Sequence, residues 1–298
     1  MPVTSGLVVV DKPAGWTSHD VVARIRRIAG TRRVGHAGTL DPMATGVLVV
    51  GVERATRLLG HLALGHKAYQ ATIRLGQATV TDDAEGEPLG GADAAGVTEA
   101  GVRAGLAALT GEIEQVPAAV SAVKVAGRRA YAEVRAGREV ALAPRRVTVS
   151  RLEPLSLRRP APDLLDVDVA VECSSGTYVR AIARDLGAAL GVGGHLTILR
   201  RTRVGPFTLD DTVTLEELAA RAAAGRDPVP IGLDEAVAVA FPRRDVDAES
   251  ARRLGHGRRL PPAGLPGPYG AFGPDGHVIA LVEERAAAAH PILVLRPA

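Results

Sequence analysis

The residues best placed to do chemistry lie in the stretch Gly35-His36-Ala37-Gly38-Thr39-Leu40-Asp41-Pro42-Met43-Ala44-Thr45-Gly46. Its glycines and its proline do not suit a regular helix or a central strand. The spacing predicts a shaped loop feeding the apolar run Val47 to Val50 as a buried strand. Pro42 restricts the backbone of Asp41 toward extended conformations. A carboxylate fixed on a stiff loop against an apolar strand has little freedom to turn away, which is what a nucleophile or a general base requires. The same spacing equally suits an Asx turn, with Asp41 accepting from the amide two residues on. His36, alone in this loop, reads as a local hydrogen-bonder.

Other reactive types must be brought to that loop by regular elements. Lys67 to Leu75 alternates, with Tyr69, Ala71, Ile73 and Leu75 on one face and Gln70, Thr72 and Arg74 on the other. Tyr69 then reads as core packing or as an aromatic wall. Leu165 to Cys173 alternates as cleanly, and Cys173 falls on the apolar face as a core residue. The turn Ser174-Ser175-Gly176-Thr177 follows, with Thr177 expected to cap a helix that starts at Tyr178 and ends at Gly191. Arg180 sits in the first turn of that helix, where the dipole disfavours a cation, so it either meets an anion or faces solvent.

The remaining elements form a scaffold. Leu7 to Val10 is a short buried strand, stopped at Asp11-Lys12-Pro13. Thr17 or Ser18 caps a helix with Val21, Val22, Ile25 and Ile28 on one face. Arg24, Arg26, Arg27, Arg32 and Arg33 lie on or just after it, as a solvated face or as a phosphate-neutralising one. Residues 82–97 read as a mobile loop, with Asp82 and Asp83 in a solvated turn. Thr98 caps a helix carrying Val102, Leu106 and Leu109, and Thr214 with Glu217 forms a capping box. Beyond Phe241-Pro242, a helix over Asp247 to Leu254 precedes small strands at 267–270, 277–282 and 292–295.

At 298 residues the chain has room for one large domain and one small. Lys plus Arg total 36 against 33 Asp plus Glu, a net +3 that is too mild to demand a nucleic-acid partner but allows one where arginines cluster. The single cysteine excludes an intramolecular disulfide and a cysteine zinc cluster. A signal-peptide pattern and an apolar run of bilayer length are both absent from the sequence, so a soluble, cytoplasmic protein is expected.

The loop sequence Gly-His-Ala-Gly-Thr-Leu-Asp-Pro-Met-Ala-Thr-Gly-Val-Leu closely resembles the catalytic loop of the TruB family of pseudouridine synthases, with Asp41 at the position of the family's aspartate. Further matches follow in order from residue 7 to residue 207. The resemblance implies an α/β (α+β) pseudouridine-synthase fold. Its central sheet would be mixed and mainly antiparallel, flanked by helices, with a small β-rich PUA-like domain at the C-terminus. The domains expected are residues 1–240 and 241–298.

The function implied is isomerisation of a uridine in the T loop of tRNA after the base is flipped out, together with a role in tRNA folding. No cofactor and no metal are implied, because the product is an isomer of the substrate. tRNA, through its T arm, is the expected partner of a monomeric enzyme. By the same resemblance, Tyr69 stacks on the target base and handles the C5 proton, and Arg180 pairs with Asp41. His36 fills or stabilises the space the base leaves, Tyr178 contacts a nucleotide, and Leu199 packs on the flipped base. Lys12 contacts a phosphate, and Arg200, Arg201 and Arg203 lend positive charge. Gln115 to Val125 resembles another family segment but has Val120 where tyrosine is usual, while Lys124 keeps its place. The competing reading is a non-catalytic RNA-binding or assembly protein on the same fold; it would be free to lose Asp41, Tyr69 or Arg180, and all three are present.

Overall fold

The computed structural model describes residues 3–118 and 142–298, together with the backbone of 124–125 and 128–129. The expectations for Val120 and for the side chain of Lys124 lie outside the described residues. Strands β1 (Gly6–Lys12), β2 (Val34–His36), β3 (Thr45–Val52), β4 (Lys67–Leu75), β5 (Gly111–Gln115), β6 (Arg145–Ala161), β7 (Leu164–Cys173), β8 (Gly194–Val204) and β9 (Ile231–Gly232) belong to one large sheet. Its main order is β9-β1-β3-β8-β4-β7-β6-β5, with β2 on β3. Every pairing along this order is antiparallel except β8 with β3, where Arg200 and Arg201 run parallel to Thr45 and Gly46.

Burial explains why these strands differ in pattern. In β1 both faces are covered: Val8 and Val10 enter one core, and Leu7 and Val9 another. A strand buried on both faces reads as an unbroken apolar run, and β1 and β3 do. β4 and β7 alternate because their apolar residues enter one core only. That core is shared with helices α1 (Ser18–Ala29), α2 (Glu99–Ala108), α3 (Val179–Ala189) and α4 (Leu215–Ala223). The second core holds α5 (Leu233–Ala240) and residues of a smaller four-stranded sheet. That sheet is formed by β10 (Arg243–Asp245), β11 (Tyr269–Phe272), β12 (Val278–Arg285) and β13 (Ala288–Val294), and α6 (Ala248–Gly255) lies between the first two.

Three local expectations are corrected, and the open choice of cap for α1 is decided. Val34–His36 is a short edge strand on β3 rather than part of an irregular loop. Thr177 does not cap α3, since its hydroxyl donates to Ser174 O at 3.1 Å and the N-cap is Tyr178. Of the two residues expected to cap α1, Thr17 does so, through a capping box with Asp20. Residues 82–97 are folded onto the sheet. Asp82 and Asp83 are buried, Leu196 N donates to Asp82 O, and Arg159 donates to the carbonyls of Ala94, Ala95 and Val97.

Candidate active site

The Asp41 loop crosses the helix-covered face of the sheet and is pinned by buried polar side chains. Ser18 Oγ donates to Leu40 O at 3.1 Å and accepts from Leu40 N at 2.9 Å. Lys12 is fully buried, and its Nζ donates to Pro13 O, Trp16 O and Pro42 O. Burial lowers its pKa to about 8 against the pull of Asp41. Enclosed by these three carbonyls, Lys12 ties the loop to the end of β1. Gly46 closes it. With φ +98 and a would-be Cβ at 2.1 Å from Arg201 O, no other residue fits where β3 meets β8.

Arg201 is the other buttress. It is 1% exposed, and its guanidinium donates to Val47 O at 2.7 Å, Gly38 O at 3.1 Å and Thr39 O at 3.3 Å. The positive charge expected beside the base is otherwise internally matched, because Arg200 pairs with Asp11 and Arg203 with Glu172. Only Arg201 of the three lines the cavity described next.

A cavity of about 280 Å³ opens over Asp41, lined among others by Lys67, Tyr69, Tyr178, Arg180, Leu199 and Arg201. Register explains the assembly. Tyr69 on β4 lies opposite Arg201 on β8, and Ala71 lies opposite Leu199, so these side chains share one face. Arg180 comes from the first turn of α3. Its Nε is 3.1 Å from Asp41 Oδ2 and its Nη2 is 3.2 Å from Oδ1, a two-pronged grip. Nη1 turns the other way, to Thr81 O at 2.9 Å and Asp83 Oδ2 at 3.3 Å. Arg184, one helical turn on, pairs with Asp82. Lys67, which lines the cavity, and Asp83, which pairs with Arg180, are residues that sequence reasoning missed; an acidic pair in an otherwise Gly/Ala-rich stretch was the available signal for Asp83.

The electrostatics oppose one another at Asp41. Burial pushes its carboxyl above the ordinary range, Arg180 chiefly pulls it down, and Asp83 pushes it up again. The carboxylate nevertheless remains 33% exposed toward the cavity. Burial also pushes the Tyr69 hydroxyl up, with Arg201 opposing. Lys67, donating to Ala63 O and Gly65 O, is lowered to about 8 by burial and by Arg201.

The expected residues Asp41, Tyr69, Arg180, Tyr178 and Leu199 therefore meet at one cavity. His36 does not line it: its ring meets His19 edge-on at 5.5 Å, and burial lowers its pKa. Among the described residues, no three His, Cys, Asp or Glu side chains gather as metal ligands, and no helix is long and apolar enough to cross a membrane.

The chain matches three family models in succession. Residues 26–179 match the N-terminal domain of TruB family pseudouridylate synthases, and residues 180–237 match the tRNA pseudouridylate synthase B C-terminal domain. Residues 241–296 match the C-terminal region of tRNA pseudouridine synthase II. It is 62% identical over 298 residues to tRNA pseudouridine synthase B of Rhodococcus jostii (strain RHA1), covering 99% of this chain and 95% of that one. It is 61% identical to the protein of the same name from Thermobifida fusca (strain YX), covering 98% and 99%. Among solved structures, a Cbf5-Nop10-Gar1 complex aligns with a TM-score of 0.75 at 28% identity, over 100% of this chain and 87% of that one. An H/ACA RNP bound to a substrate RNA containing 2'-deoxyuridine aligns at 0.72 and 26%, over 98% and 85%.

Proposed function

Because this chain belongs to the TruB family and is a tRNA pseudouridine synthase, we propose that its target uridine lies in the T loop and that Asp41 is the nucleophile. One observation carries the assignment of Asp41: a carboxylate gripped through both oxygens by Arg180, yet open to a cavity walled by Tyr69 and Leu199. The reaction breaks the N1–C1′ bond and re-joins the ring through C5. The C5 proton leaves and N1 gains one, so atoms and electrons balance without an oxidant or an energy source.

A uridine in a folded loop must first be turned out of its stack, at a cost of a few kcal/mol. Stacking on Tyr69 returns about 1–3 kcal/mol. Leu199, on the same face of the sheet, packs on the flipped base, and Tyr178 meets the nucleotide at the rim. Asp41 attacks the nucleotide as the carboxylate, and the bond it forms breaks again before the product leaves, returning the carboxylate; Arg180 keeps it ionised despite burial. Tyr69 handles the C5 proton: it accepts that proton as the phenolate, a form that burial opposes and the Arg201 guanidinium favours. The role of His36, filling the space left by the base, remains part of this reading and is supported by its position on β2 beside the loop.

Three further parts of the proposal rest on the same frame. The division at residues 240/241 is supported by the separate four-stranded sheet. Monomeric action is supported by Asp41, Tyr69, Tyr178 and Arg180 all coming from one chain. Cytoplasmic work follows from the substrate. Asp41→Asn should bind tRNA nearly as wild type and form no pseudouridine; wild-type turnover would reject the nucleophile. Mapping pseudouridine in tRNA from cells lacking the protein, and after it is restored, tests the T-loop position. The same grip would aid tRNA folding. The Asp41→Asn protein should therefore still speed refolding of a destabilised tRNA, and its failure to do so would end that part.

A further inference from the structure

Helix α3 carries Arg180 and begins at the cavity rim, yet nothing in its own sequence fixes where it starts. Its N-cap, Tyr178, has an extended backbone and makes no side-chain capping bond. Thr177 is turned away to Ser174. A helix N-terminus leaves several N–H groups without partners, so such a start is free to shift unless something outside the helix holds it.

Gln115, the last residue of β5, supplies the hold. It is 2% exposed. Its Oε1 accepts from Tyr178 N at 2.8 Å, and its Nε2 donates to Tyr178 O at 3.1 Å. One planar amide thus engages both backbone groups of a single residue, as a neighbouring strand would, and fixes its dihedral angles. The next residue adds a second hold six residues further along the helix, where Arg184 Nη2 donates to Val116 O at 2.8 Å. Tyr178 lines the cavity, and Arg180 follows two residues later on the same first turn.

We propose that Gln115 is a positioning residue for the isomerisation: its buried amide clamps the backbone of Tyr178 and thereby sets Tyr178 and Arg180 against the bound uridine and Asp41. This rests on Asp41 and Arg180 acting as proposed above. Gln115 carries no charge and does not line the cavity, so it acts only through the helix start. Misplacing a catalytic group by a fraction of a bond length to about 1 Å lowers turnover by as much as a hundredfold.

The test compares Gln115→Met, which keeps length and volume but deletes both hydrogen bonds, with Gln115→Glu. The glutamate keeps the acceptor for Tyr178 N and sets an oxygen against Tyr178 O. Single-turnover conversion of tRNA should fall roughly ten- to hundredfold in both, with tRNA affinity within about threefold of wild type. Leu106→Ala, in the core of α2, controls for general loosening and should lower the melting temperature without that loss of rate. Made in an Arg180→Lys background, Gln115→Met should cost little more. Wild-type turnover in either Gln115 variant, or the full loss repeated in the Arg180→Lys background, overturns the clamp. If Arg180→Lys is itself fully active, the failure lies with the Arg180 assignment instead.

Discussion

Arg180→Lys keeps a positive charge in the site and removes only its shape. In the native site one planar guanidinium reaches Asp41 with two nitrogens, at 3.1 and 3.2 Å, and Asp83 and Thr81 with the third. A lysine offers one nitrogen on a different stem and cannot serve Asp41 and Asp83 together. Losing one charge-assisted hydrogen bond to Asp41 forfeits about 1.5–3 kcal/mol. Expressed wholly in the transition state, that is a loss of about 10- to 150-fold in rate. The pH profile should move as well. Burial and Asp83 push the Asp41 carboxyl up, and Arg180 is the main opposing charge. Weakening that charge raises the carboxyl further. Since the carboxylate is the reacting form, activity would be lost at a higher pH as acid is added. Single-turnover formation of pseudouridine across the acid range measures both quantities. A rate close to that of wild type together with an unmoved acid limb would refute the grip as the source of Asp41's reactivity.

Tyr69→Phe keeps the aromatic wall and removes the hydroxyl; tRNA should bind as before while turnover falls, which filter binding and single-turnover assays separate. Lys67 is buried with a pKa of about 8 against 10.5 when unfolded, so between those values the unfolded chain holds more protons and rising pH favours the fold. The unfolding free energy of wild type minus that of Lys67→Met should thus increase with pH over this window, by at most about 3 kcal/mol; urea titrations at several pH values check the sign. Leu186→Ala removes a fully buried side chain from α3 and should cost about 2–5 kcal/mol by urea denaturation. Thr17→Ala deletes the capping box of α1 and should cost about 0.5–2 kcal/mol in the same assay.

Period and punctuation made much of the fold legible. β4 and β7 alternate because one face alone is buried in the apolar core, and Cys173 falls inside as its position in that alternation requires. The helix start at Tyr178 left Arg180 to meet an anion or face solvent; the resemblance to the TruB family implied that the anion is Asp41, which lies beside it. What stayed hidden depends on contacts between distant parts of the chain. Asp82 and Asp83 look like a wet turn until Arg180 and Arg184, about a hundred positions later, arrive above them. Lys12 looks like a surface lysine because the carbonyl of Pro42 that encloses it lies on the loop. Arg200 and Arg203 look like free charge until folding sets Asp11 and Glu172 beside them. Periodicity reports which face is apolar; it does not report which charges meet.

The reverse side of β1 and β3 is sealed by Phe272, Val278, Leu281 and Leu295, which share a core with Leu7, Val9, Val47 and Val49. The strand that the Asp41 loop runs into is one of that pair. A polypeptide cut short before Tyr269 would therefore do more than shed an appendage: water would reach the back of the strands from which the reacting carboxylate is hung, and the injury would surface on the opposite face.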